Sequence, residues 1–186
     1  YVKDGTKGET CYIPVIVTEA GVKDLVYNTF YIGDDCDVTI VAGCGIHNGC
    51  EEQSEHDGIH TFHIGKNSRV KYAEAHYGEG AEDGVRILNP VTKVYMAENS
   101  FCEMDMSQIG GVTSSIRETE AYLEAGAKMI ITEKLLTDGT QTVESNQTFE
   151  LLGDDSSIQV VSRSVAKDDS RQVFSPLVIG RAACRG

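Results

Sequence analysis

The 186-residue chain has no tryptophan, only three prolines and no apolar run of membrane-spanning length. A transmembrane helix needs about 20 consecutive apolar residues, whereas the apolar stretches here are short, such as 129–131. No basic segment followed by an apolar one suggests a secretory signal peptide, and the first residue is Tyr1 rather than Met. We therefore expect a cytoplasmic chain, trimmed from a longer one, with no membrane partner.

Positive charge is also scarce, since 16 basic residues face 29 acidic ones and the formal net charge is −13. An acidic chain repels phosphate backbones, so we expect no nucleic-acid partner. The sequence contains no phosphate-binding motif of the Gly-x-x-x-x-Gly-Lys-Ser/Thr type, so ATP binding by that route is excluded. Gly43, Gly45 and Gly49 do not follow a dinucleotide-binding fingerprint either.

No Cys-x-x-Cys pair occurs among the six cysteines, and their spacing does not indicate a small disulfide-stapled domain. A chain of this length can bury a core without such bonds, so reduced thiols are the expectation. The cysteines are Cys11, Cys36, Cys44, Cys50, Cys102 and Cys184.

Long amphipathic helical patterns are rare, and what recurs is a glycine corner followed by alternating apolar residues. These corners lie at Gly33, Gly65, Gly126, Gly153 and Gly180, where glycine would permit a positive φ. A missing corner is expected near 98–104, which gives a period of roughly 30 residues. Such a period is typical of a solenoid, so the sequence predicts an all-β fold, a β-helix. A β-sandwich is the alternative.

Segment 113–125 carries helix-favouring residues, but the repeat favours a strand with Ile116, Glu118, Glu120 and Tyr122 on one face. Residues 1–30 lack the corner pattern and are interpreted as an N-terminal flanking segment. Within them, 11–18 is predicted as a strand and 21–30 as a strand or short helix. The β-helix core is therefore predicted to occupy 31–186 and to be incomplete at its C-terminus.

All five histidines lie between positions 47 and 76, and three cysteines lie just before or inside that region. Thiolates and imidazoles suit zinc or iron–sulfur species, so the sequence suggests a metal or cofactor site here. Cys44 and Cys50 are the candidate metal ligands. The candidate cofactor-binding residues are Cys44, Cys50, His47, His56, His60 and His63. The alternative is a surface loop with polar histidines and structural cysteines. Cys36 is interpreted as structural, because Ser68 and Ser156 fill its position in other corners.

Two catalytic interpretations compete with a binding site. Cys44 or Cys50 could pair with His47 or His56 as an activated nucleophile, but no signature supports it. Carboxylates such as Asp34, Asp154 and Asp168 could serve a polysaccharide-acting β-helix hydrolase or lyase. Most of these aspartates lie at predicted turns, where their side chains bond the local backbone.

Three segments resemble the SufB/SufD family of iron–sulfur cluster assembly scaffolds, and most closely its short SufB-like members. The first is Cys44-Gly45-Ile46-His47-Asn48, continued by Cys50-Glu51 and by His56-Asp57-Gly58-Ile59-His60-Thr61-Phe62-His63-Ile64-Gly65. The others are Ile131-Thr132-Glu133-Lys134-Leu135-Leu136-Thr137-Asp138-Gly139 and Ser162-Arg163-Ser164-Val165-Ala166-Lys167-Asp168-Asp169-Ser170. The resemblance covers about residues 31–186.

This resemblance implies a right-handed β-helix, a transient iron–sulfur cluster as cofactor and no enzymatic turnover by the chain itself. It implies two partners, the ABC-type ATPase SufC and a second SufB/SufD-type chain in a homodimer or heterodimer. In the family the chain continues past the segment that ends here, with further coils and cluster-linked residues. A purely structural partner chain is the remaining alternative.

Overall fold

The fold is all-β: a computed structural model describes residues 1–81 and 83–180, and these contain strands and no helix. The thirteen strands are β1 (Lys7–Val17), β2 (Lys23–Ile32), β3 (Asp37–Asn48), β4 (Gln53–Ile64), β5 (Arg69–Gly80), β6 (Val85–Leu88), β7 (Val91–Met96), β8 (Phe101–Ile109), β9 (Ser114–Leu123), β10 (Lys128–Thr137), β11 (Thr142–Leu151), β12 (Ser157–Ala166) and β13 (Arg171–Gly180). In the described part of the chain, no helix is long and apolar enough to cross a membrane.

The strands form two parallel sheets that face each other. One sheet has the order β1-β3-β5-β8-β10-β12. The other has the order β13-β11-β9-β6-β4-β2, with β7 pairing β4 and β9. Each coil contributes one strand to the first sheet and one strand, or the β6–β7 pair, to the second. The chain therefore winds as a β-solenoid of about six turns, which confirms the predicted β-helix over the β-sandwich.

The repeat length follows from the paired residues at the end of each coil. Ile32 pairs with Ile64, Ile64 with Met96, Met96 with Leu123 and Leu123 with Leu151. The stacked coils therefore differ by a few residues around the predicted period. In the structure β1 pairs with β3 and β2 with β4, so residues 7–32 form the first coil of the same stack.

Glycine serves the corners mainly by letting them stack closely. Gly33, Gly65 and Gly153 have no positive φ, so the predicted reason is wrong for them. A Cβ on Gly65 would lie 2.4 Å from the Gly33 carbonyl oxygen of the coil below. The positive φ falls two residues later in these corners, at Asp35, Asn67 and Asp155, and at Asn99 in the corner between them. Gly126 itself has a positive φ, so the prediction is confirmed for that corner. The missing corner is found at 97–100.

Corner hydroxyls close the turns. The Ser100 Oγ donates to the Ala97 carbonyl at 2.7 Å, and the Ser156 Oγ donates to the Gly153 carbonyl at 2.7 Å. Cys36 takes this position in its own corner, where its buried Sγ lies 3.1 Å from the Lys3 carbonyl oxygen. The structure thus gives Cys36 the structural place that the sequence suggested.

Alternation along each strand separates a buried inner face from an exposed outer one. In β9 the residues Ile116, Glu118, Glu120 and Tyr122 share the outer face, as predicted for a strand rather than a helix. The inner faces build one large apolar core, which includes Ile40, Phe62, Tyr72, Ile131 and Phe149. Asp57 and Gly58 form a dipeptide that is typical of turns, yet they lie within β4, where Gly58 is a buried inward position.

Candidate functional site: a buried polar centre

A layer of polar side chains crosses the interior of the solenoid. It lies between the large apolar core and a smaller apolar cluster formed by Val17, Cys44, Ile46, Leu88 and Val112. Along β5, for example, Tyr72 belongs to the apolar core, and the next two inward positions are Glu74 and His76. The buried polar residues of this layer are His56, His60, Glu74, His76, Gln108, Arg117, Thr119, Glu133, Ser145 and Gln147.

Three metal-ligating side chains meet within this layer. The ligand atoms of Cys44, Glu74 and His76 all lie within 4.8 Å of one another, and all three residues are buried. Parallel pairing places them, because Cys44 on β3 is the register partner of His76 on β5. Glu74 and His76 are alternate residues of β5, so both side chains point inward. Among the described residues, this is the one group of three or more His, Cys, Asp or Glu side chains whose ligand atoms are close enough to share an ion.

Glu74 is the anionic residue of the group. Burial opposes its ionisation, but His76, His60 and Arg117 outweigh burial and hold the pKa of Glu74 well below its usual range. Its Oε1 accepts a hydrogen bond from the Tyr72 hydroxyl at 2.8 Å and lies 3.3 Å from His76 Nε2. Its Oε2 is buried with no hydrogen-bond partner. A buried carboxylate oxygen left free in this way is ready to accept a cation.

Arg117 fixes the tautomer of His76. Its Nη1 lies 2.9 Å from His76 Nδ1, and a guanidinium can only donate, so Nδ1 must accept. The proton of the neutral imidazole is therefore on Nε2, where it faces Glu74 Oε1. For His76 to ligate an ion through either nitrogen, its contact with Arg117 has to be given up.

Arg117 has other partners to hold it in the interior. Its Nε donates to Glu133 Oε1 at 3.2 Å, and its Nη1 also donates to Gln108 Oε1 at 3.2 Å. Glu133 accepts further hydrogen bonds from the hydroxyls of Ser145 at 3.0 Å and Ser162 at 3.4 Å. The buried positive charge is thus paired, which such a charge requires in a protein interior.

The surroundings of Cys44 favour its thiol form. Burial, and to a smaller extent the Glu74 carboxylate, raises its pKa to about 12, while Arg117 acts in the opposite direction. A metal ion would have to displace the thiol proton in order to bind sulfur. The site therefore combines one potential thiolate, one carboxylate and one imidazole. This mixed donor set suits a divalent transition metal such as ferrous iron or zinc, whereas a complete iron–sulfur cluster usually takes four thiolates.

Two more predicted residues approach this centre on β4. His60 is buried, and its Nε2 lies 3.7 Å from Glu74 Oε1. Burial lowers the pKa of His60, and His76 and His56 lower it further, while Glu74 opposes them. His56 is also buried, and its Nδ1 lies 2.8 Å from Asp24 Oδ2. The structure thus brings Cys44, His56 and His60 into one polar interior.

The other predicted residues lie elsewhere. Cys50 is exposed in the loop after β3, where its backbone N–H donates to Asn48 Oδ1 at 3.1 Å. His47 points outward, with its Nδ1 3.9 Å from Glu79 Oε2. His63 is on the outer face of β4, in a stack of rings between Tyr31 and Tyr95 with centroids 4.7 and 5.0 Å away. Cys184 lies outside the described residues.

Sequence reasoning missed three residues of the centre: Glu74, His76 and Arg117. The pattern Tyr72-Ala73-Glu74-Ala75-His76 does carry a signal, because polar residues occupy the alternate positions that are apolar earlier in the strand. Arg117 could not be found in this way, because polar residues lie near it on both the inner and the outer face of β9, so its inward position does not stand out in the sequence.

The fold and this centre together define a class: a two-sheet parallel β-helix with a buried thiol, carboxylate and imidazole. The chain belongs to the SufBD family, since residues 19–185 match the family described as "SUF system FeS cluster assembly, SufBD core domain". A curated relative from Archaeoglobus fulgidus, named "Iron-sulfur cluster assembly SufBD family protein", is 23 % identical over 145 residues. That match covers 78 % of this chain and 38 % of the relative, so the chain spans about two fifths of the relative's length. The family resemblance is confirmed, while the SufB-like subgroup stays a prediction.

Proposed function

We propose that this chain is a scaffold component of a SUF-type iron–sulfur cluster assembly system and that iron is its cargo at the buried centre. The observation that supports this is the meeting of Cys44, Glu74 and His76 within 4.8 Å in a chain of the SufBD family. The Glu74 Oε2 adds a buried carboxylate oxygen that has no hydrogen-bond partner. The chain itself performs no turnover.

The proposal includes the partners that the family context suggests. An ABC-type ATPase of the SufC kind would supply the nucleotide chemistry for which this sequence has no motif. A second SufB/SufD-type chain would form a homodimer or heterodimer with this one in the cytoplasm. Because Cys44 is the one thiol of the buried group, a complete cluster would need thiolates from a second source, and an exposed Cys50 is a candidate for that role.

Anaerobic reconstitution with ferrous iron and sulfide tests the function. We expect stoichiometric iron in the protein, with absorption at about 400 nm where thiolate-bound clusters form. Cys44→Ser should remove most of the bound iron, because a hydroxyl is a poor replacement for a thiolate. Cys50→Ser reports separately on the second predicted cysteine.

Cys36→Ser is the matched control, since it also removes a buried thiol but places serine where other corners already have it. It should retain wild-type iron. If Cys44→Ser and Cys36→Ser both retain all the iron, the buried centre is not where the cargo binds. If the wild-type protein binds no iron, the chain serves only as a β-helical frame.

A further inference from the structure

A second set of free donor atoms lies beside the buried centre, on the side nearer the protein surface. His56 Nε2 and both ring nitrogens of His60 are buried without hydrogen-bond partners. Each residue is only 2 % exposed. Buried imidazole nitrogens are normally bonded, so two neighbouring rings with free nitrogens call for an explanation.

Asp24 orients the first of these rings. Its Oδ2 lies 2.8 Å from His56 Nδ1, so the carboxylate accepts the Nδ1–H and leaves the lone pair on Nε2. A carboxylate that holds an imidazole in this way is the usual outer partner of a metal-ligating histidine. The second ring is held by its neighbours, because His60 stacks on Phe30 and contacts Tyr72 with centroids 6.4 and 6.2 Å away.

Gly58 creates the space between the two rings. It is the inward residue between His56 and His60 on β4, and a Cβ there would lie 3.0 Å from His60 Nε2 and 3.3 Å from His56 Nε2. Both Nε2 atoms therefore border the same small gap. A ligand–metal distance of about 2.0–2.1 Å would require the rings to close on that gap by roughly 1 Å.

The gap lies between solvent and the buried centre. Asp24 is half-exposed and lines a surface cavity of about 260 Å³ together with Glu19 and Val22. At the other end, His60 Nε2 is 3.7 Å from Glu74 Oε1. Asp24, His56, His60 and Glu74 thus form a continuous series of donors from an acidic surface cavity to the Cys44 site.

We propose that His56 and His60 form a transfer site for a single divalent transition-metal ion, which bridges their Nε2 atoms across Gly58 on its way to the buried centre. The proposal rests on the proposed function for its destination, but the site itself needs only these residues. Imidazole ligands without a thiolate bind such an ion less tightly than a mixed site containing sulfur, so the ion can move on.

Cobalt(II) is the probe that separates the two sites in the folded protein, since a thiolate ligand gives a charge-transfer band and imidazole ligands do not. Anaerobic titration and stopped-flow mixing of wild-type protein should show a thiolate-bound cobalt and a second, weaker cobalt without that band. Gly58→Ala, which fills the gap but removes no ligand, should lose the weaker cobalt and slow the appearance of the thiolate band by about tenfold or more.

Asp24→Ala provides an independent variant at a half-exposed position. It should weaken the second cobalt by about 10- to 100-fold, as loss of an outer-shell partner does. Gly43→Ala is the matched control, because a Cβ at Gly43 meets no atom within 4 Å, and it should behave as wild type.

The transfer site is overturned if Gly58→Ala and Asp24→Ala both bind cobalt with wild-type stoichiometry and rate, or if wild type binds only the thiolate-linked ion. In either case the thiolate band itself would keep the proposed function intact. Absence of the thiolate band from wild type would instead overturn the proposed function, while a weak cobalt that is sensitive to Gly58→Ala would still support the transfer site.

Discussion

A buried thiol becomes a metal ligand only when it loses its proton, and the residues around Cys44 oppose that loss. Burial raises its pKa to about 12, and the Glu74 carboxylate acts in the same direction. A divalent ion changes this balance, because it adds positive charge next to both groups. Arg117 acts in the opposite direction on the pKa of Cys44, and it does so while bonded to His76.

The reactivity of each thiol should depend on whether its cysteine is exposed or buried. In native protein at neutral pH, we expect iodoacetamide to modify Cys11 and Cys50, which are exposed, before Cys36, Cys44 and Cys102, which are buried. Peptide mass mapping after timed quenching measures each rate. Rapid labelling of Cys44 in the folded protein would contradict the buried centre, and labelling in denaturant shows that every site can react.

The Arg117–Glu133 pair should control stability as well as the tautomer of His76. Arg117→Met leaves the Glu133 carboxylate buried without its cation, so we expect a loss of about 3–5 kcal/mol in the free energy of unfolding. The double variant Arg117→Met/Glu133→Gln should recover part of that loss, because no unpaired charge stays in the interior. Urea unfolding measures the free energy of unfolding of both variants. If Arg117→Met alone is no less stable than the double variant, the unpaired Glu133 charge is not the cause of the lost stability.

Of this centre, the sequence predicted Cys44, His56 and His60 because they lie in one histidine- and cysteine-rich segment. It could not predict that Glu74, His76 and Arg117 join them. Those residues come from other coils, 30 or more positions away for Cys44 and Glu74, and only parallel stacking brings them together. Cys50 and His47 show the converse, because proximity in sequence does not decide which face of a strand a side chain takes.

At the scale of the element, the corner between coils is determined by close backbone approach as much as by turn geometry. A Cβ on Gly65 would meet the Gly33 carbonyl at 2.4 Å, and one on Gly153 would meet the Ala125 backbone nitrogen at 2.2 Å. Neither distance is possible for a real Cβ, so successive corners would have to move apart. Movement at one corner would disturb the pairing of the strands that begin there.

Gly65→Ala should therefore destabilise the protein by about 1–3 kcal/mol, the range seen when an atom is forced into a packed position. Gly43→Ala, on an open part of β3, should be neutral or slightly stabilising, because alanine suits a strand better than glycine. Thermal and urea unfolding of the two variants give the comparison. Equal stability of the pair would mean that the corners relax freely.

The repeat itself could be predicted because corners and alternating strands are local features of the chain. Why glycine occupies the corners could not be predicted, since this depends on close contact with the backbone of the coil below rather than on the φ of the glycine itself. Asp57-Gly58 shows the same limit: the dipeptide has turn chemistry, but the inner face of β4 uses the glycine for space between two histidines. The position of this dipeptide in the stacked strands, rather than its local turn preference, determines its conformation.

At the scale of the whole molecule, the polar centre exists only when the coils are stacked, because its ligands belong to different strands. Metal binding at Cys44 is therefore coupled to folding, and an ion that binds the folded state should raise its stability. The unfolded chain also offers cysteines and histidines, which reduces the gain. Metal binding should still stabilise the folded state, since only there do thiol, carboxylate and imidazole meet in one place.

Ferrous iron, added anaerobically at about 100 times its dissociation constant, should stabilise the folded protein by up to about 2.7 kcal/mol. For a chain of this size that corresponds to an increase in Tm of about 5–10 °C, which differential scanning fluorimetry can follow. Cys44→Ser should lose most of this increase, whereas Cys36→Ser should keep it. An equal increase in both variants would place the stabilising ion elsewhere, and a decrease in wild type would mean that iron prefers the unfolded chain, so the ligands would not be preorganised by the β-helix.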